Sequence, residues 1–506
     1  MGDAPSVEGR WVGMKPPEKD GPPQRAATER SGLSQGIIPC GLPEQQGYAS
    51  DGGHRNRIRL SIFCSPEQES YNVPESGGSM TIRGVTDEEL KQVLSENLTP
   101  SDSIKTPERL FGREKTLRTI DRAFASPGRQ IFIYGDRGVG KTSLALTAAY
   151  LHTGVENLPV YVMCGRTNDF GQTIQAIGNA LIPVEQRMEK PASGGGFTFN
   201  LPASMGGIGV SNGNKGSSNI PIPQSLNEAL DVIRYVAAKR KNTTIVIVDE
   251  MERIDSAPER EKFAEFIRNL PELNADVRFI FCGIMHDVTE VLQSHPSAGR
   301  ILETIELKRL NHDDLWKILS VVATKLNVEV QQEALIRIGQ VSDGFPHYVH
   351  LIGESMFWSM FDDPDEVIRS GSRHYKEGIK GALQRTEAAL KAQYEKATQK
   401  YRNTQEFEEA LWALADSTSD RRQIAEIYDS SYRWIMSKRS DRSLLLREKL
   451  NQRYLSLRKE THGRIVVGHG SGWFSFREAI MRGYVRLKAE DNGIDLGKHH
   501  NTAGMN

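Results

Sequence analysis

The sequence predicts an α/β fold built on a parallel sheet, followed by a helical unit and a small helix-and-hairpin unit. Three observations predict it. Short apolar runs alternate with amphipathic helical stretches from residue 105 to about 310, the pattern of strand–helix–strand crossovers in a parallel sheet covered on both faces. From residue 311 to about 402 the period is helical. From about 404, three helical stretches precede two short apolar strands around a Gly-Ser turn.

The elements follow in chain order. Residues 1–79 are rich in Gly, Pro, Ser and Gln without a sustained period, which predicts a disordered extension or a translation start at Met80. "MTIRGVTDEELKQVLSENL" opens the first helical pattern, and Leu117, Ile120 and Phe124 recur at helical spacing in the second. Strands are expected at 130–135, 159–165, 242–250, 276–284 and 305–310, with helices between them, so the core spans 80–310. Residues 190–222 interrupt it with alternating Phe197, Phe199, Leu201, Ile208 and Val210 among Gly and Ser. They read as an inserted β-hairpin or as a disordered loop with incidental apolar residues. Residues 311–403 form a helical lid and linker, ending in a charged helix near 375–402. Residues 404–490 have the parts of a winged helix, and 491–506 read as a disordered tail.

Composition narrows the classes of function. No apolar run approaches the ~20 residues of a membrane span, so no membrane partner is expected. Cys40, Cys64, Cys164 and Cys282 make neither a CxxC pair nor a metal-ligand spacing, which fits a reducing cytoplasm. No HExxH, clustered carboxylates or nucleophile elbow point to a protease or nuclease. The net charge of −1 conceals an uneven distribution: residues 421–490 hold sixteen Lys/Arg against seven Asp/Glu.

The most specific signal is Gly135-Asp136-Arg137-Gly138-Val139-Gly140-Lys141-Thr142-Ser143, between a strand and a helix. Its glycines let the backbone curl so that several N–H groups face phosphates, and the helix behind presents its positive end. The motif predicts a bound nucleoside triphosphate, with Lys141 on the β- and γ-phosphates and the Thr142 hydroxyl on Mg²⁺. Downstream, "IVIVDEME" ends an apolar strand in Asp249, which would hold Mg²⁺, and Glu250, which could polarise the attacking water.

Further segments carry a resemblance. "LFGRE" at 110–114 resembles the adenine-side box of AAA+ and STAND ATPases, which implies that Phe111 and Gly112 border the base. "SHPSAGRILETIELKRL" at 294–310 resembles the arginine-finger segment of oligomeric AAA+ proteins. It implies that Arg300 reaches a neighbouring subunit's γ-phosphate; a solvated helix-end arginine is the other reading. "SDGFPHYVHLIGE" at 342–354 resembles the lid segment of STAND and origin-recognition-type ATPases, which implies that Pro346 and His347 lie near the nucleotide. Residues 105–360 thus resemble an AAA+ P-loop NTPase domain, which implies ATP and Mg²⁺ as cofactors and a homo-oligomer. Two departures stand out. The tip of the fourth strand, Phe281-Cys282-Gly283, lacks a strong hydrogen-bonding side chain, and Pro346 is followed by His347 where the family has arginine. Both imply slow or partner-dependent hydrolysis.

In the last unit, Leu446, Leu450, Tyr454 and Leu457 share one helix face and are expected in its core. Arg447 and Arg458 flank that face on one side, and Arg442, Lys449 and Arg453 on the other, which suits a helix laid against phosphates. "GWFSFREAIMRGYVRL" resembles the end of winged helices attached to archaeal-type ATPases. The resemblance implies packing roles for Trp473, Phe474 and Phe476, and leaves Arg464 and His469 to touch a minor groove. Such modules also dock proteins, so the partner is DNA or a protein. Three functions are open on the sequence: an ATP-driven switch, a DNA-binding regulator with ATP as a structural ligand, and a protein-docking scaffold.

Overall fold

The computed structural model describes residues 82 and 84–497, apart from 154–157, 166–168, 182–219, 239, 241, 274, 285–288, 290–297 and 400–401. The hairpin expected at 190–222 therefore lies outside the described residues except for 220–222, where the Ile220 N–H donates to Asn179 Oδ1 at 2.9 Å.

Five strands form one parallel sheet: β1 (Gln130–Tyr134), β2 (Val160–Met163), β3 (Thr244–Asp249), β4 (Val277–Gly283) and β5 (Leu302–Glu306), in the order β2-β3-β4-β1-β5. Every residue of β3 is buried, as a near-continuous apolar run requires when both sheet faces are covered. The faces separate by alternation. Ile131, Ile133, Ile245, Ile247 and Ile280 pack into one core with the lid. Phe132, Val246, Val248, Phe279 and Phe281 pack into a second. The fifth strand starts at Leu302 and not at the expected 305, because its pairing with β1 (Gln130↔Leu302 to Tyr134↔Glu306) fixes its register.

Helices α1 (Asp87–Asn97), α2 (Glu114–Phe124), α3 (Lys141–His152), α4 (Phe170–Leu181), α5 (Leu226–Ala238) and α6 (Ala257–Asn269) surround the sheet. A capping box between Thr86 and Glu89 opens α1. A short turn of helix, α7 (Ala298–Ile301), leads into β5. The lid is α8 (His312–Lys325), α9 (Gln332–Ser342) and α10 (Pro346–Phe361), the last begun by proline at its first position. The single charged helix expected at 375–402 is two, α11 (Ser372–Arg385) and α12 (Ala388–Thr398), broken at Thr386-Glu387.

The C-terminal unit has three helical stretches: α13 (Thr404–Ala415), α14 (Ile424–Glu426, Ile427–Tyr432 and Arg433–Ser437 in succession) and α15 (Arg447–Leu457). Strands β6 (Arg422–Gln423), β7 (Val466–Gly468) and β8 (Trp473–Phe476) make an antiparallel sheet in the order β6-β8-β7. This architecture is consistent with the expected winged helix. Leu450, Tyr454 and Leu457 are buried, with the Tyr454 ring stacked on Phe474 at 4.8 Å. Leu446 is not in that core: it is the residue capping α15 and is 64% exposed. Trp473 is also exposed, unlike Phe474. The closing helix α16 (Met481–Asp491) packs back on the lid. Ile494 and Leu496 are buried beyond it, and the Gly497 N–H donates to Asp416 Oδ1. The chain to 497 is therefore packed, contrary to the tail expected from 491. Among the described residues no helix is long and apolar enough to cross a membrane.

Candidate nucleotide site

The site is built where β1 turns into α3. Gly138 and Gly140 have φ of +84° and +96°, a region closed to most side-chain-bearing residues, and this curl delivers the first N–H groups of α3 to the loop. Lys141 is 8% exposed, and its Nζ donates to the carbonyls of Gly135 (3.0 Å) and Asp136 (3.2 Å). The Thr142 hydroxyl donates to Asp249 Oδ2 at 2.6 Å, and the Glu250 N–H to Asp249 Oδ1 at 2.8 Å. A second hydroxyl reaches the same carboxylate: Tyr161 on β2 donates to Oδ2 at 3.0 Å. Burial first, then the Asp249 charge, raises the Tyr161 pKa, so the phenol stays protonated.

Glu250 follows with φ +57°, a backbone state that non-glycine residues adopt at a cost and that clusters at functional sites. Arg253 Nε lies 2.7 Å from Glu250 Oε2. The pair holds the carboxylate that would activate water.

A cavity of about 260 Å³ runs from the loop toward the lid. Gly138, Val139, Gly140, Lys141, Thr142 and Ser143 line its polar end together with Arg137, Asp249 and Glu250. Phe111, Pro346 and His347 line it as well. Gly135, Asp136 and Gly112 do not. The first two face the neighbouring cleft between the core and the C-terminal unit, and Gly112 turns against Asp314. Arg300 is exposed at the entry to β5. In a parallel sheet that is the edge opposite the loop, about 17 Å away over five residues, so Arg300 cannot serve the nucleotide of its own chain.

Sequence reasoning missed several lining residues. The segment Thr99–Ile104 closes one wall, anchored where the Ile104 N–H donates to Ser143 Oγ and the Thr147 hydroxyl donates to the Ile104 carbonyl, each at 3.1 Å. Buried Arg113 donates to the carbonyls of Val139 and Lys308, and burial presses its pKa down to about 10. His350 lies beside His347 in the wall. Burial, then His347, presses the His350 pKa down to about 4, so it is neutral. Arg113 and His350 lie within the segments 110–114 and 342–354, but the resemblance singled out Phe111, Gly112, Pro346 and His347 there and not these two. The only hints were a helical histidine pair three apart and a tyrosine on the alternating strand "PVYVM".

The residues fit magnesium nucleotide. A buried ammonium held only by backbone carbonyls, a hydroxyl–carboxylate pair in contact and a glycine-curled loop are a donor set for phosphates and a hard cation. Among the described residues no cluster of three or more His, Cys, Asp or Glu could hold a metal, so the cation would be held together with the phosphates.

Residues 109–280 match the AAA ATPase domain family. That stretch is an AAA-type P-loop domain. No curated protein matches the chain in sequence. Among solved structures, the chain is similar to the Walker-type ATPase of Pyrococcus abyssi, at 14% identity over 76% of this chain and 99% of that one, TM-score 0.46. It is also similar to the ORC2 protein of Aeropyrum pernix, at 13% over 79% and 98%, TM-score 0.44. A third is Cdc6p from Pyrobaculum aerophilum, at 15% over 79% and 97%, TM-score 0.40.

The AAA-type loop is also in contact with the C-terminal unit. Arg137 donates to Glu387, between α11 and α12, at 2.7 Å and to Glu478 at 3.4 Å. A Cβ at Gly138 would come within 2.6 Å of Ile480 Cδ1. Asp136 pairs with Arg309 at 3.0 Å, and Arg309 reaches Asp343 on the lid and Asp420 in the C-terminal unit. Burial works against the Arg309 charge, but Asp343, Asp420 and Asp136 outweigh it and raise its pKa.

Proposed function

We propose that the protein is a Mg²⁺-dependent ATPase switch whose nucleotide state sets the seating of the C-terminal unit. The observation that carries this reading is that Ile480 and Glu478 bear on Gly138 and Arg137 of the loop itself. Arg137 also lines the cavity, so phosphate charge competes with Glu387 and Glu478 for its guanidinium. Lys141 neutralises the β- and γ-phosphates, and Thr142 with Asp249 holds the metal. Bound Mg²⁺ neutralises charge on the phosphate oxygens. Glu250 accepts the proton of the attacking water, and must first leave Arg253. That requirement, with the buried Phe281 and Cys282 at the tip of β4, supports slow basal turnover.

Arg300, at the far edge of the sheet, supports a homo-oligomer in which each chain completes its neighbour's site. The partner is proposed to be duplex DNA. Exposed Arg421, Arg433, Arg447, Lys449, Arg458 and Lys459 supply phosphate contacts. Arg442 and Arg453, expected in the same role, are instead engaged with Glu409 and Glu406.

The test compares wild type with Glu250→Gln. Hydrolysis is expected to fall at least 100-fold while ATP binding persists, and amide exchange over 478–491 to differ between ADP and trapped ATP. A protein that binds no ATP, or a C-terminal unit indifferent to the nucleotide, sinks the switch. A DNA titration at two salt concentrations with no salt-dependent affinity removes the DNA partner.

A further inference from the structure

We infer that Tyr161 is a positioning residue for the Mg²⁺-holding carboxylate, supplying from β2 a donor that the tip of β4 has no side chain to supply. The inference rests on the nucleotide reading above.

Strand pairing explains the reach. Met163 is the β3 partner of Asp249, and Tyr161 is that of Ile247, one pleat behind. Val160 and Val162 pack with Val246 and Val248 in one core. Tyr161 therefore rises on the opposite face, the one shared by Ile247 and Asp249, and its long ring spans the step to Oδ2.

The carboxylate is nearly closed to solvent: Asp249 is 2% exposed. It is held by three donors, the Thr142 hydroxyl and the Tyr161 phenol on Oδ2 and the Glu250 N–H on Oδ1. Of these, Thr142 is itself expected to ligate the metal, and the Glu250 amide belongs to the residue, at φ +57°, whose carboxylate is the proposed base. Tyr161 alone has no second duty. It is 37% exposed as a whole residue, but its hydroxyl end is part-buried and is committed to Asp249 Oδ2. The bond therefore gives the carboxylate a donor that no expected metal ligand has to supply. Outer partners of this kind orient a ligand and tune its basicity, and their loss lowers metal affinity about 10- to 100-fold. On the other side of Asp249, Phe281 and Cys282 of β4 are fully buried and offer no comparable donor.

The test is Tyr161→Phe, which keeps the ring and removes only the hydroxyl. A fluorescent ATP analogue is titrated against protein at increasing Mg²⁺ and again in EDTA, with Met163→Leu on the same strand face as a control. The Mg²⁺ needed for half-maximal tight binding is expected to rise about 10-fold in Tyr161→Phe. Affinity in EDTA and the melting temperature stay at the wild-type value, and Met163→Leu behaves as wild type. A Tyr161→Phe protein that titrates like wild type, or loses as much affinity in EDTA as in Mg²⁺, overturns the assignment and leaves the switch standing. A wild-type protein whose nucleotide affinity ignores Mg²⁺ overturns both.

Discussion

His350 shows how a residue inside the 342–354 segment can line the site without being the one the resemblance singles out. Its ring is 5% exposed in the cavity wall, and among the described residues its Nδ1 has no hydrogen-bond partner. With a folded pKa of about 4 against 6.5, the folded chain leaves this imidazole uncharged while the unfolded chain protonates it as pH falls through 6.5. Stability is therefore fully present above pH 6.5 and is lost progressively toward pH 4. His350→Leu removes the penalty. Between pH 7 and pH 5 its stability relative to wild type is expected to improve by about 2 kcal/mol, read from urea midpoints at each pH; an unchanged difference would mean that His350 is not buried as a neutral ring. The residues from Gly138 to Ser143 were legible because a phosphate loop is written in consecutive positions. Arg113 and Tyr161 were not, because each bonds a partner that only the tertiary fold brings near, and His350 was not, because only packing buries its ring in the cavity wall.

At the level of elements, β1, β3 and β4 could be read directly, since a buried parallel strand is a short apolar run whatever its neighbours. The fifth strand was displaced because Leu302-Glu303-Thr304 carries no such run, and only pairing with β1 makes it a strand. Helix α5 went unread behind the Gly- and Ser-rich stretch. The break between α11 and α12 is invisible to a periodicity that continues through it, yet it brings Glu387 to Arg137. The contact of α16 with α10 is equally hidden. A Cβ at Gly483 would lie 2.7 Å from Tyr348 Cδ2, and the Tyr348 hydroxyl donates to the Ile480 carbonyl at 2.8 Å. Gly483→Ala is expected to cost about 1–3 kcal/mol by overpacking, and Tyr348→Phe about 1 kcal/mol. Both should speed proteolysis beyond residue 470 more than within the sheet. Equal loss in both regions would mean that the molecule unfolds as one piece.

Across the whole molecule, the loop, the lid and the C-terminal unit meet at one set of charges. Asp343, 6% exposed at its side chain, takes Arg482 at 2.6 Å, Arg486 at 3.1 Å and Arg309 at 3.3 Å. Arg309 also lies over the Phe345 ring at 4.9 Å. Removing Asp343 leaves Arg482 and Arg486, each 3% exposed at the side chain, without the buried carboxylate they share, which costs roughly 3–5 kcal/mol. The Arg137 pairs are different, because Arg137 is half exposed and such pairs contribute about 0–1 kcal/mol. The two sets thus separate holding the units together from sensing the nucleotide. Asp343→Asn is expected to lower global stability by about 3 kcal/mol with nucleotide-free and nucleotide-bound protein affected alike. Glu387→Gln with Glu478→Gln should change stability by less than about 1 kcal/mol, yet free Arg137 for phosphate and raise exchange over 478–491 even without nucleotide. If the double variant keeps the wild-type difference between ADP and ATP states, the signal does not pass through Arg137, and the contact of Ile480 with Gly138 is left as its route.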